Sequence, residues 1–497
     1  MNPAPAAPTL PSGLVAFVKR DCPTCELIAP VLGQIAEHRS LTVYSQDDPG
    51  FPDPVSESLT VVDDRELAVS WHHNIETVPT LIQVADGREQ KRLVGWQRGE
   101  WESFTGLSDL GTGLREYSPG CGSLSVAPDR APALAARYGS AQLRARRVTL
   151  AALEDEMEAM FARGWSDGLP VVPPTEARVL AMLDGTSRAP DEVVATVPPD
   201  LVECTVEKIA INAVMAGCKP EYLPVVIAAT EAVCTDAFNM HGLLATTMPV
   251  GPVLVVNGPI RRRIGMNAGR NVFGQGNRAN STIGRAVQLI VRNVGGGRPG
   301  EIDCAAHGNP GKVGFCFAEL EEDSPWQPLS VSRGIASDTD AVTVFAGEGP
   351  RCIIDQLSRD ADSLARSLAH NLRALYHTKL VLAFDAILAI GPEHARIFRQ
   401  DGWDRRTLQS RLFELLQIPG EELARGADGI AEGMPEGGDG KLIGLPPKLS
   451  GFTLPKFKPG GLHIVHCGGG AGLFSMVIGG WVSGSLGSQI VTREITP

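Results

Sequence analysis

Cys22-Pro23-Thr24-Cys25 is the one place in the chain where two cysteines stand two residues apart. Thiols at that spacing can exchange a disulfide with a partner: a thiolate attacks, and a second thiol one helical turn away releases the product. The pair follows the apolar run Leu14-Val15-Ala16-Phe17-Val18 and precedes Leu27, Ile28, Val31, Leu32 and Ile35, which recur at helical spacing. A strand feeding a helix is therefore predicted. A thiol at a helix N-terminus meets unpaired N–H groups and the positive end of the dipole, so Cys22 reads as the nucleophile and Cys25 as the resolving thiol. The competing reading is half of a zinc site. Zinc needs two further ligands, no second C-x-x-C or H-x-x-H follows nearby, and the adjacent His72 and His73 point apart.

The remainder of the chain carries looser constellations. Leu462-His463-Ile464-Val465-His466-Cys467 reads as a strand running into Gly468-Gly469-Gly470-Ala471-Gly472, which would set a thiol beside backbone donors for an oxyanion or phosphate. Cys467 is then the reactive cysteine outside the first domain; the alternative is a buried cysteine beside a tight packing turn. His394 falls at the C-terminal end of a predicted strand, where open α/β sheets bind ligands, and is a candidate acid or base.

Residues 265–285 interleave glycines with Asn267, Arg270, Asn271, Asn277, Arg278, Asn280, Ser281 and Thr282. These side chains could bind a carboxylate, amide or phosphate, with Ser281-Thr282 capping the following helix; the alternative is a long loop that satisfies itself. Cys304 and His307, completed by Cys316 and Glu319, Glu321 or Glu322, have metal-ligand residue types in a spacing that chance also produces, and no metal is assigned. Cys121, in Pro119-Gly120-Cys121-Gly122-Ser123, is either a resolving thiol for the first domain or an incidental loop cysteine. Cys204, Cys218 and Cys234 read as core residues.

Three further features surround the cysteine pair: Pro30 inside the helical pattern, a second strand at Leu41-Thr42-Val43-Tyr44, and the strand Val78-Pro79-Thr80-Leu81-Ile82 with a proline at its start. Together they resemble the thioredoxin family. The resemblance implies a cis-proline, Pro79, facing Cys22 and Cys25; a late glycine, Gly95; and a redox-active Cys22–Cys25 disulfide as the only prosthetic chemistry. It also implies a thiol or disulfide substrate and a thioredoxin-reductase-type electron donor. Asp21 stands where that family usually has Trp, and Pro-Thr where it usually has Gly-Pro, which leaves glutaredoxin-like behaviour open. The larger part resembles an uncharacterised bacterial group named for a Sec/Cys-Gly-Ser-Cys tetrapeptide, through Gly391-Pro392-Glu393-His394-Ala395 and Gly402-Trp403; the tetrapeptide itself is absent.

These readings divide the 497 residues into a redox domain at 1–108, a Gly/Ser/Pro then Ala/Arg-rich linker at 109–148, and a large α/β domain at 149–497, as one body or two subdomains. The expected class is α/β, a thioredoxin-like fold followed by an α/β domain of undetermined topology. Within the latter, helices are predicted over 149–163, 206–217 and 224–237, and strands over 252–257, 341–345, 379–390 and 462–466. Residues 350–375 are expected to hold one or two helices, and 426–440 a Gly/acidic surface loop.

A net charge of -12 leaves no broad basic face for nucleic acid, although the arginine clusters at 261–263 and 144–147 could meet a small anion if they are not solvated loops. No basic, apolar leader precedes Asp21, the apolar stretch 462–486 is broken by histidines and glycines, and the ten cysteines are scattered. A bacterial cytoplasmic setting without a membrane partner is expected. The resulting expectation is a thiol–disulfide oxidoreductase module that regenerates thiol-dependent chemistry in a fused α/β enzyme acting on a small, anionic or thiol substrate. Its alternatives are a general disulfide reductase whose large domain binds a ligand or client, and a metal-dependent enzyme with redox protection of its cysteines.

Overall fold

The structure is a computed structural model that describes residues 8–53, 59–139, 143–151, 153–423, 426–430 and 451–497. The chain folds as two compact units, residues 1–143 and 144–497. Both combine helices with mixed sheets, so the protein is of the α/β class.

In the first unit β1 (Gly13–Val18) leads into α1 (Pro23–His38), followed by β2 (Leu41–Ser45), β3 (Thr60–Asp63), α2 (Ala68–His72), β4 (Thr77–Val78), β5 (Thr80–Ala85), β6 (Arg88–Val94), β7 (Trp96–Gln97) and α3 (Arg98–Thr105). The sheet runs β3-β2-β1-β5-β6; β1, β2 and β3 are parallel, and β5 is antiparallel to both β1 and β6. Ile28, Val31, Leu32 and Ile35 of α1 are fully buried against this sheet, as their three- and four-residue spacing requires. The helix continues through Pro30.

The expected linker does not stand apart. β8 (Tyr117–Ser118) pairs with β7, β9 (Cys121–Gly122) pairs with β4, and α4 (Ala131–Tyr138) follows. Its small polar residues have specific partners. Buried Gln46 donates to Ser123 Oγ at 2.7 Å and accepts from Leu124 N at 3.0 Å, and Ser125 Oγ donates to Ile75 O at 2.5 Å. The Gly/Ser/Pro composition thus reflects tight turns over the first unit. Residues 140–142 of the expected linker lie outside the described residues.

The second unit opens with α5 (Glu156–Ala162), α6 (Glu176–Leu183), β10 (Val193–Val197), β11 (Val202–Thr205), α7 (Val206–Ala216), α8 (Leu223–Val233) and α9 (Met240–Ala245). α5 is shorter than the predicted 149–163 helix because Asp155 caps it, accepting from Met157 N and Glu158 N. There follow β12 (Gly251–Asn257), α10 (Ile260–Arg263), α11 (Arg278–Asn293), β13 (Phe315–Ala318), α12 (Leu329–Ser332), β14 (Ala341–Gly347), β15 (Arg351–Ile354) and α13 (Ala361–Arg373). The last elements are β16 (Phe384–Ile390), α14 (Pro392–Gln400), α15 (Arg405–Leu415), β17 (Gln417–Pro419), α16 (Gly420–Leu423), β18 (Thr453–Pro455), β19 (Leu462–His466), β20 (Phe474–Val482) and β21 (Val491–Glu494). The expected surface loop 426–440 is described only to residue 430.

The main sheet runs β13-β12-β14-β20-β16-β19 and repeats one pattern twice. β12 is parallel to β13 and antiparallel to β14; β16 is parallel to β19 and antiparallel to β20. β14 and β20 meet at the pair Gly347↔Gly480, β15 continues along β20, and β21 pairs with β14. Each half begins with an apolar strand closed by Gly-Pro, Gly258-Pro259 and Gly391-Pro392, leading to helix. A Cβ on Gly258 would stand 2.5 Å from Thr339 O, just before β14, and one on Gly391 2.4 Å from Phe474 O at the start of β20, so both glycines permit the same close crossing. At the far ends Leu320 N donates to His466 O (2.8 Å) and His466 Nδ1 donates to Leu320 O (2.9 Å), so the six-strand path closes on itself at one end. Val253, Val255, Phe315, Phe317, Phe345, Ile387, Val465 and Ile478 fill the space it encloses.

Candidate functional site

The best-formed chemical site lies in the first unit. Cys22 is the N-cap of α1, with extended backbone (φ -150°, ψ 110°), and its Sγ accepts the Cys25 N–H at 3.3 Å. The same sulfur lies 3.6 Å from Val78 O, immediately before the cis peptide to Pro79. Cys22 is 1% exposed and Cys25 fully buried. Their thiol pKa values are driven apart. A hydrogen bond from the Cys25 thiol, then others from Cys121 and from backbone N–H groups, holds Cys22 far below an ordinary thiol, against the opposing effect of burial. Burial, followed by proximity to the Cys22 thiolate, pushes Cys25 strongly up. The arrangement favours the thiolate on Cys22 and the protonated thiol on Cys25. All ten cysteines are free thiols.

The surrounding geometry is tight. Gly95, with φ +75°, donates its N–H to Pro79 O at 2.8 Å, and Trp101 Nε1 donates to Gly95 O at 3.0 Å. Arg20 pairs with Asp48 at 2.5 Å, while Asp47 accepts the backbone N–H groups of Arg20 and Asp21, fixing the turn between β1 and α1. Asp21 itself is exposed.

The candidates in the second unit are placed otherwise. Cys467 follows β19 directly and donates its N–H to Ile390 O at 3.2 Å, but its side chain is packed in the enclosed core and burial raises its pKa strongly. These apolar neighbours oppose the thiolate that the expected reactive role of Cys467 requires. His394 is fully buried, with Nε2 donating to Asp355 O at 3.0 Å and Nδ1 accepting from Ser475 Oγ at 2.8 Å. Both ring nitrogens are engaged and Ser475 is 2% exposed, so His394 ties the turn after β15 to β20.

Residues 265–285 largely satisfy themselves. Asn280 accepts Asn267 N at 3.1 Å and donates to Asn267 O at 2.8 Å; Asn271 donates to Gln275 O; Asn277 donates to Gly265 O. Arg278 donates to Gly217 O and Cys218 O. The cap of α11 is Asn277, which accepts from Asn280 N, so Ser281 and Thr282 lie inside the first turn, where the Thr282 hydroxyl bonds back to Arg278 O. Arg270 is exposed, its stem over Gly469, and Gly468 N donates to Ala268 O, so this loop packs on the glycine-rich turn after Cys467 without bringing the polar groups to His394.

The loose metal constellation also separates. Cys304 is exposed, Cys316 is buried in β13, and among the described residues no group of three His, Cys, Asp or Glu side chains is arranged to hold a metal ion. Arg261 is buried between Glu321 (2.8 Å) and Glu322 (3.0 Å), Arg263 pairs with Asp340, and Arg144 pairs with Asp191, so these arginines are spent on carboxylates of the protein itself.

Glu319 is a residue that its metal-ligand reading misplaced. It is fully buried, accepting from Asn257 Nδ2 (2.8 Å), Leu329 N (2.7 Å) and His466 N (3.4 Å), with Arg405 at 3.8 Å. Glu319 and Cys467 hold matching places in the two halves of the sheet, each following the second strand and donating its N–H to the first, at Val256 O and Ile390 O. Elsewhere in this unit a cavity of about 520 Å³ is lined by Asp167, Gln288, Arg292, Asp303 and Lys312 among others.

Fold and site together define a two-unit α/β protein with a helix-capping dithiol. No family model, curated protein or solved structure matches the chain. Among the described residues no helix is long and apolar enough to cross a membrane.

Proposed function

We propose that the first unit is a thioredoxin-like thiol–disulfide exchange module, with Cys22 as nucleophile and Cys25 as resolving thiol. The observation that carries this reading is the Cys22 sulfur acting as the cap of α1, accepting the N–H of Cys25 while the Cys25 thiol lies buried beneath it. The sheet order with α1 following the central β1, and Pro79 preceding β5, supports the thioredoxin-like assignment. In the exchange, Cys22 thiolate attacks a disulfide, forming a mixed disulfide and releasing one thiol; Cys25 then attacks Cys22, releasing the second. Pro79 is a positioning residue that presents Val78 O to Cys22.

The burial of Cys467 favours general thiol–disulfide exchange over regeneration of a thiol at that position. If the module serves its own chain, the exposed Cys304 and Cys352 are the second-unit thiols open to exchange. Reduction of 2-hydroxyethyl disulfide by the full chain, with dithiothreitol as electron source, tests the proposal. Cys22→Ser is expected to fall to background; unchanged turnover would refute it.

A further inference from the structure

Cys22 is the nucleophile of the exchange, yet it is 1% exposed, and the protein's own segment 117–122 lies against it. That segment is held by specific bonds. Thr24, inside the C-x-x-C, donates its hydroxyl to Pro119 O at 2.5 Å and accepts from Ser118 Oγ at 2.8 Å. Lys19 Nζ donates to Gly122 O at 2.9 Å, and Ser123 N donates to Glu76 O at 2.9 Å. Gly120 passes so close that a Cβ there would lie 2.3 Å from Thr77 Cγ2 and 3.1 Å from Val78 O.

The register then decides which residue meets Cys22. β9 runs antiparallel to β4 with Cys121 opposite Val78, the residue whose carbonyl lies 3.6 Å from Cys22 Sγ. Of the three thiols gathered here, Cys121 is the only one that is partly exposed.

We propose that Cys121 is a second resolving thiol, forming a Cys22–Cys121 disulfide that pins 117–122 over the site and leaves Cys25 reduced. This rests on the exchange reading given above. Cys22 thiolate attacks a disulfide RS–SR, the RS–SR bond breaks, and Cys22–SR forms with one RS⁻ released. Cys121 thiolate attacks Cys22 Sγ, the Cys22–SR bond breaks, and Cys22–Cys121 forms with the second RS⁻ released. The two protons lost by Cys22 and Cys121 end on the two RSH, so two protein thiols are oxidised and one disulfide is reduced. Cys25 can later attack Cys22 Sγ, form Cys22–Cys25 and pass its proton to the departing Cys121. In the reduced site burial raises the Cys121 pKa, and its hydrogen bond to the Cys22 thiolate raises it further; once Cys22 is in a mixed disulfide that second effect ends and Cys121 ionises more readily.

The test uses full-length Cys25→Ser, reduced, freed of reductant and treated with 2-hydroxyethyl disulfide, with free thiols then alkylated and peptides mapped by mass spectrometry. The expected product is a Cys22–Cys121 linked peptide pair with two equivalents of mercaptoethanol released. Cys25→Ser/Cys121→Ser should instead keep one mercaptoethanol adduct on Cys22. Cys25→Ala repeats the measurement without a hydroxyl in the buried position, should the serine perturb folding. A stable adduct on Cys22 with Cys121 alkylated, in both single variants, would overturn the proposal while leaving the exchange reading intact. Neither adduct nor link at Cys22 in any variant would overturn both.

Discussion

Cys22 and Cys467 are both cysteines that come off the end of a buried strand, and their environments are opposites. Between Val18 and Cys22 the chain turns through three residues and starts a helix, so the thiol inherits the unpaired N–H groups of the first turn and a second thiol beneath it. Cys467 follows His466 without a break and stays in register with β16, so its side chain enters the core shared by Val465, Phe317 and Ile478. Donors lower the pKa of the first; burial, with the nearby Glu319 carboxylate, raises that of the second. What sets the two thiols' pKa values apart is thus the local path of the backbone after the strand, more than the presence of strand and glycines.

The strongest way to break that contrast is to compare Cys22→Ser with Cys467→Ser in disulfide reduction. The first should lose turnover to background. The second should keep it and cost about 1–3 kcal/mol of second-unit stability, because a hydroxyl replaces an apolar sulfur in a dry core. Full activity in Cys22→Ser, or its loss in Cys467→Ser, would reverse the assignment.

Next in size is the carboxylate that stands in the place matching Cys467. Glu319→Ala takes a partner from buried Asn257, from the Leu329 N–H and from half-buried Arg405 and should destabilise the second unit by about 1–3 kcal/mol in thermal unfolding, with no effect on alkylation of Cys22. A neutral Glu319→Ala would mean that the bonds to Glu319 contribute nothing.

Part of the acid response of the second unit follows from His463, whose pKa is lowered by burial to about 3 from an ordinary 6.5. The unfolded chain takes up a proton near the ordinary value and the folded chain only near the lowered one. Stability is therefore unaffected above that range and is lost as pH falls through it, by on the order of 5 kcal/mol across the full window. His463→Leu should flatten this slope in calorimetry from neutral pH downward; an unchanged slope would place the proton uptake elsewhere.

The smallest effect sharpens the contrast from the other side. Thr24→Val removes the hydroxyl bonds to Pro119 and Ser118 and should cost about 1 kcal/mol. It should speed iodoacetamide labelling of Cys22 by loosening 117–122. Because the Cys22 pKa is lowered, that labelling should reach its plateau below the pH of an ordinary thiol, whereas Cys467 should label only on unfolding.

Much of the first unit is legible in residue order, because its determinants are local. A C-x-x-C after an apolar run, helical spacing of Leu27 to Ile35 and a proline before the next strand each act within a few residues. The alternating halves of the second sheet were also written in the chain, as two apolar strands each closed by Gly-Pro, but the repeat is short and shows itself only when β14 and β20 are found side by side. The division between the units, after residue 143, falls inside the expected 109–148 linker, but at 117–125 Gly, Ser and Pro form turns pinned by Gln46 and Thr24.

The sequence by itself determined which thiols stand one helical turn apart and that the first of them caps a helix, since backbone geometry makes that relation local. Only the tertiary structure decided that Cys121 lies opposite Val78 beside Cys22, that Cys467 is sealed in a core, and that the polar run at 265–285 binds itself. Those outcomes depend on contacts between residues tens to hundreds of positions apart, where burial and partner geometry, and not residue type, set whether a side chain can react.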